Sequence, residues 1–165
     1  MRTRPAISLL ILDVDGVLTD GRLYFGARGE ALKVFDVRDG YGLVAVQRAG
    51  ITVAVISGRR SGAVQTRCRE LGIRYVYQGV ADKLAVLERL RSRLRLTRGA
   101  CACVGDDLPD VPLMKAVGLS FAVADAHGTA RRAARRVTRR GGGRGAVREV
   151  CDLLLTARAR AGRAR

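Results

Sequence analysis

Short, continuous apolar runs alternate along the chain with longer stretches in which apolar positions return every three or four residues. The runs within "SLLIL" (8–12), "ITVAVISG" (51–58), "RYVYQG" (74–79), "GACACVGDD" (99–107) and "LSFAVAD" (119–125) predict five buried strands. A strand covered on both faces loses the polar alternation of a half-exposed one. The stretches between them predict helices over 39–50, 61–71, 81–96 and 112–117. Leu84, Leu87, Leu90 and Leu94 form the clearest apolar stripe, and Gly50 and Gly72 punctuate the first two helices. Val147, Val150, Cys151 and Leu154 repeat that helical spacing in a last helix from Ala146. Strand and helix alternate throughout, so the pattern predicts an α/β fold: a parallel sheet with helices on both faces and right-handed crossovers.

One segment breaks the alternation. "GRLYFGARGEALKVF" offers two short β-like runs around Gly26 to Gly29, a hairpin over 22–35. The expected organisation is a single domain over 1–156, followed by a basic, disordered tail, "ARARAGRAR", at 157–165.

Composition narrows the function classes. The 165 residues are 48% hydrophobic, enough for a real core. The formal charge of +16 is concentrated late in the chain, where residues 131–165 hold 12 Arg against Glu149 and Asp152. No aromatic residue follows Phe121, so this segment lacks the stacking surfaces of single-strand binders. It reads as a solvated or subunit-contacting tail, with no specific nucleic acid as partner. No apolar run approaches the roughly 20 residues of a membrane span. Cys68, Cys101, Cys103 and Cys151 show neither zinc spacing nor a CxxC pair, and read as small hydrophobes in a reducing, cytoplasmic setting.

The chemistry gathers at strand ends. The first strand runs into Asp13 and Asp15, which point the same way from an extended chain and repel unless a cation or proton intervenes. The second ends in Ser57-Gly58-Arg59 and the fourth in Gly105-Asp106-Asp107, while Lys83 opens the helix after the third. In a parallel sheet these ends share one edge, where open α/β sheets bind ligands. Acids beside a hydroxyl, a lysine and Gly-rich turns suit a hard cation and a phosphate. Each signal taken singly has a plainer reading: a surface turn for "GDD", a strand-end cap for Ser57, a solvated Lys83. A calcium loop fails because Val17 and Tyr24 occupy ligand positions. A receiver-like phosphoacceptor domain would carry its acid on a later strand.

With these four motifs in order, "DVDGVLTDG", "ISG", Lys83 in "GVADKL" and "GDDLPD", the chain resembles the haloacid dehalogenase superfamily of phosphohydrolases over about residues 8–155. The longer strings "FDVRDGYG", "ISGRR", "VGDDLPDVPLM", "VADAH" and "GGGRGAVREVCDLLL" resemble its phosphatases for an eight-carbon acidic sugar phosphate, which serve lipopolysaccharide synthesis. The resemblance implies a Rossmann-like three-layer sandwich without a cap domain, since only the hairpin and one helix separate the first two motifs. It implies Asp13 as nucleophile and Asp15 as acid and base. Mg²⁺ is expected on the Asp13 carboxylate, the Asp15 carbonyl and Asp106, with Asp107 in support. Ser57, Gly58 and Lys83 would hold the phosphate, and Asp110 would orient Lys83 or the metal waters. Arg59 and Arg67 would bind the substrate together with Asp15 and Lys83, and Asp36, Val37, Arg38, Asp39 and Gly40 would line the same mouth.

The implied assembly is a homotetramer, with the hairpin between subunits and the C-terminal segment reaching an adjacent site. "GGGRG" (141–145) then reads either as a mobile hinge or as a linker, and deletion from residue 141 is expected to weaken turnover more than folding. Rival readings are a phosphatase for a nine-carbon acidic sugar, a basic nucleic-acid-binding domain and a catalytically silent regulatory domain.

Overall fold

The computed structural model describes residues 6–163. Its centre is a six-stranded sheet formed by β1 (Leu9–Leu12), β4 (Thr52–Ser57), β5 (Tyr75–Gln78), β6 (Cys101–Gly105), β7 (Leu119–Ala122) and β8 (Arg136–Val137). All strands are parallel, in the order β5-β4-β1-β6-β7-β8. The chain therefore builds outward from β1 in one direction, then returns to its other side at β6. Such a reversal opens a crevice at the carboxyl ends of the two central strands.

β1 and β6 are buried along their whole length, which is why their sequences are unbroken apolar runs. The helices α1 (Val37–Arg48), α2 (Gly62–Glu70), α3 (Lys83–Arg93), α4 (Val111–Ala116), α5 (Gly128–Ala133) and α6 (Ala146–Arg163) complete a three-layer sandwich. α1 packs on α6, and α3 on α4. The hairpin of β2 (Tyr24–Gly26) and β3 (Gly29–Leu32) stands apart as a small antiparallel sheet, its turn made by Gly29 at φ +103°. All four cysteines are free and buried, consistent with their reading as core filler.

Three features differ from the sequence reading. First, the sheet has a sixth strand, β8, and a further helix, α5, both within an arginine-rich stretch that shows no apolar period. Second, α6 continues to Arg163, so of the tail expected to be disordered over 157–165, residues 157–163 are helical and 164–165 lie outside the described residues. Alanine and arginine are strong helix formers, and a helix already anchored on the core propagates cheaply.

Third, "GGGRG" is neither hinge nor free linker. A Cβ on Gly142 would fall 1.8 Å from the Gly16 carbonyl oxygen, and the Gly143 amide donates to the Val17 carbonyl at 2.9 Å. The segment is packed against the loop after β1, and α6 lies on its own subunit's α1.

Candidate active site

Asp13 lies one residue beyond β1, where its amide donates to the Val104 carbonyl of β6 at 3.1 Å. Asp106 follows the end of β6 directly, on the other side of the crevice. Carboxylate oxygens of Asp13, Asp106 and Asp110 all come within 4.8 Å of one another. This close approach depends on Gly16, which turns the loop at φ +84°: a Cβ there would meet an Asp106 oxygen at 2.0 Å. Gly105 serves Asp110 in the same way, since a Cβ at 105 would fall 2.6 Å from an Asp110 oxygen.

Asp110 organises the cluster. Its Oδ2 accepts from the Asp106 amide at 2.9 Å, and its Oδ1 accepts from Lys83 Nζ at 2.7 Å. Lys83 Nζ also lies 2.7 Å from Asp13 Oδ2. The lysine is buried at the first position of α3, a helix that Asp82 caps by accepting from the Ala85 amide. Burial would push the Lys83 ammonium down; Asp13 and Asp110 outweigh it, and the net shift is upward. Burial pushes Asp106 up to about 8, helped by repulsion from Asp13 and Asp110 and opposed by Lys83. Asp13 is raised to about 6 by burial and by Asp110, with Lys83 opposing.

One buried lysine thus stands against three carboxylates. That imbalance fits a divalent cation: the donors are hard oxygens, two of them on acids whose charged forms the site leaves undercompensated.

Ser57 ends β4 on the same edge, buried, with the Arg59 amide donating to its Oγ at 3.3 Å. The Asp15 carboxylate is not part of the three-acid cluster. It pairs with Lys33 Nζ from the segment after β3, and Arg59 Nε lies 3.7 Å from its other oxygen. Lys33 and its neighbour Glu30 escaped the sequence reading. A charged pair in a short hairpin carries no local sign of which surface the hairpin will lean on.

Most of the remaining candidates are engaged in local contacts. Asp107, read with the metal set, is exposed, and its carboxylate accepts from the Leu108 amide at 2.7 Å as a helix cap; the third acid of the cluster is Asp110. Asp39, expected at the substrate mouth, is buried and accepts from the Arg148 amide of α6 at 2.7 Å, so it ties α1 to α6. Burial pushes its carboxyl up to about 6.

Asp36 caps α1 and holds the Arg38 guanidinium at 2.8 Å, while Val37 is exposed. Gly40 is a contact surface for Arg67, whose Nη2 would lie 2.3 Å from a Cβ at 40. Arg67 therefore fills the α1–α2 junction and pairs with Glu70 at 3.2 Å.

Comparison with known proteins agrees with this geometry. The haloacid dehalogenase-like hydrolase family matches residues 75–147. The 3-deoxy-D-manno-octulosonate 8-phosphate phosphatase of Escherichia coli strain K12 is 55% identical over 151 residues, spanning 92% of this chain and 80% of the relative. The crystal structure of the phosphatase of that name from Moraxella catarrhalis, in complex with magnesium, phosphate and the sugar acid, superposes with a TM-score of 0.89 at 42% identity, covering 92% of this chain and 87% of the other. A cobalt-bound counterpart from Haemophilus influenzae gives 0.90 at 43% identity, covering 93% and 90%. The chain belongs to the haloacid dehalogenase-like hydrolases, within the family of the 3-deoxy-D-manno-octulosonate 8-phosphate phosphatases.

Proposed function

We propose that the protein hydrolyses 3-deoxy-D-manno-octulosonate 8-phosphate to the free sugar acid and phosphate, a step toward the inner core of lipopolysaccharide, and that it uses Mg²⁺. The observation that carries the chemistry is the meeting of Asp13, Asp106 and Asp110 within 4.8 Å, with Lys83 bonded to two of them. The substrate follows from the family, together with Arg59, placed beside the Ser57-Gly58 turn with 44% of its side chain exposed toward an incoming anion.

Hydrolysis of a phosphate monoester needs on the order of 20 kcal/mol of barrier lowering. Two displacements divide the task. The Asp13 carboxylate attacks phosphorus, and the bond from phosphorus to the sugar oxygen breaks as Asp15 gives that oxygen a proton. Water then attacks the aspartyl-phosphate, Asp15 takes back a proton, and phosphate leaves with Asp13 restored. Ser57 and the Gly58 amide hydrogen-bond the phosphoryl oxygens, and Lys83 balances their charge in the transition state. Asp13, Asp106 and the Asp15 carbonyl would hold the divalent cation, which when bound offsets repulsion between the nucleophile and the phosphate dianion. Asp110 keeps Lys83 and the Asp106 backbone in register for this.

The hairpin supports a homotetramer. Leu23, Tyr24, Phe25, Leu32 and Val34 are all exposed on it or beside it, an apolar surface without cover on this subunit. Packed copies would also close a site that has no cap domain. Among the described residues no helix is long and apolar enough to cross a membrane.

Phosphate release across a panel of sugar phosphates, with and without Mg²⁺, tests the proposal. The wild type should release phosphate fastest from the octulosonate 8-phosphate, and Asp13→Asn should remain folded but inactive. A preference for a nine-carbon acidic sugar phosphate would move the substrate assignment. Activity retained by Asp13→Asn would overturn the mechanism.

A further inference from the structure

Glu30 is the one acid of the hairpin, and it faces the catalytic rim of its own subunit. Its Oε1 accepts from Ser61 Oγ at 2.5 Å. Its Oε2 lies 3.2 Å from Lys33 Nζ and 3.6 Å from Arg59 Nη2. Both cations also reach Asp15: Lys33 pairs with Oδ1, and Arg59 Nε lies 3.7 Å from Oδ2. Ser61 is fixed in turn, as its amide donates to Gln78 Oε1 at the end of β5 at 2.8 Å.

Glu30 therefore bridges three elements: the hairpin, the Ser57-Gly58-Arg59 turn and the start of α2. The Lys33 side chain is 2% exposed and belongs to the interior of this bridge, whereas that of Arg59 is 44% exposed. Glu30 is held below the ordinary carboxylate range; burial opposes this, but Ser61, Lys33 and Arg59 prevail.

We propose that Glu30 is a specificity-determining positioning residue. It fixes the Arg59 guanidinium so that its solvent-facing edge receives the carboxylate of the sugar acid. This rests on the substrate reading above. A long arginine loses rotamer freedom on binding, and a guanidinium already held on one side by a carboxylate loses less. The two contacts, Nη2 with Glu30 at 3.6 Å and Nε with Asp15 at 3.7 Å, are ion pairs longer than hydrogen bonds; together they restrict the plane of the fork, on which two-pronged recognition of a second carboxylate depends. Because Glu30 offsets only one of the two bases and Asp15 at most the other, the rim gains orientation without a net negative charge that would repel an anionic substrate. Glu30 acts through Arg59 and touches no reacting atom.

The test uses Glu30→Gln, which keeps the shape and an acceptor for Ser61 but removes the charge. Steady-state kinetics would be measured on the octulosonate 8-phosphate and on phenyl phosphate, which has no carboxylate, in wild-type and Arg59→Ala backgrounds. Loss of one ion-pair contact on a half-exposed arginine predicts a KM rise on the sugar acid about fivefold larger than that on phenyl phosphate, with a much smaller change in kcat. In the Arg59→Ala background the same substitution should change KM by less than about twofold, as expected when one residue works through the other. A fall in KM, an equal rise on both substrates, or the full effect without Arg59 would each overturn the proposal.

A readout without substrate separates this from the functional reading. The Arg59 Nε–H resonance, identified by its loss in Arg59→Ala, should be sharp in the wild type and exchange-broadened in Glu30→Gln. Its persistence unchanged would sink the positioning role whatever the substrate proves to be. A wild type that fails to prefer the octulosonate 8-phosphate would sink the substrate reading alone.

Discussion

Asp13 and Asp106 face each other across the β1–β6 crevice, and their burial, together with acidic neighbours that one lysine does not offset, shows in their titration. Both carboxyls hold protons more tightly in the fold than their ordinary value of 3.8, Asp13 up to about 6 and Asp106 up to about 8. Between about pH 4 and pH 8 the metal-free folded state thus binds more protons than the unfolded chain, so its stability falls as pH rises. Thermal melts in a chelator should show a lower Tm at pH 8.5 than at pH 5.5, and Asp106→Asn should flatten that slope. Added Mg²⁺ should raise Tm more at pH 8.5, where both acids are ionised and free to accept it. Equal melts at the two pH values would refute this account of the site.

Asp13, Ser57, Lys83 and Asp106 were legible in the sequence because each sits at or just beyond the end of an apolar strand or at the start of a helix. In those places a polar residue has few local duties. Glu30 was missed, and Asp110 was set beside Lys83 by the family resemblance alone. Their roles come from the angle at which a hairpin leans and from a turn folding back under Gly105, and neither leaves a periodic trace.

At the scale of elements, α6 shows how pattern and charge can compete in one segment. The spacing of Val147, Val150, Cys151 and Leu154 gave away the helix, and all four are buried. The arginines beyond them suggested a loose tail, yet helix propensity carries the element on to Arg163. β8 was invisible for the opposite reason: a two-residue strand has no room for a pattern, and both its residues are exposed.

These facts reverse the expectation for a truncation at residue 141. Removing the chain from there exposes the surface that Val147, Val150 and Leu154 cover, at about 1.5–3 kcal/mol for each buried side chain. A typical domain has only about 5–15 kcal/mol in hand. It also strips the Gly142–Gly143 packing from the loop that carries Asp15 and Gly16. The fragment 1–140 should therefore be unfolded by circular dichroism and not merely slow. A folded fragment with a cooperative melt would show that α6 is peripheral.

For the whole molecule, two long-range properties pull against each other. The formal charge of +16 makes copies of the chain repel, while the hairpin presents Phe25 at 64% and Leu32 at 48% exposure. A two-stranded hairpin is marginal alone and gains stability when its apolar face is covered. If the copies meet there, as proposed, assembly is driven by non-ionic burial and opposed by charge. Salt should therefore strengthen it, since screening shortens the repulsion to about 8 Å at physiological ionic strength. Contact with a polyanion would weaken with salt instead.

Sedimentation velocity at low and moderate salt distinguishes the two. The wild type should shift toward the tetramer as salt increases, and the double variant Phe25→Glu with Leu32→Glu should sediment as a monomer at both. Because Glu30 and Lys33 lie on the same hairpin, the monomeric variant should also show a raised KM for the acidic sugar phosphate: the hairpin proposed to join the copies also carries the anchor of Arg59. A double variant that still assembles would place the interface elsewhere and leave the hairpin with its catalytic-rim role alone.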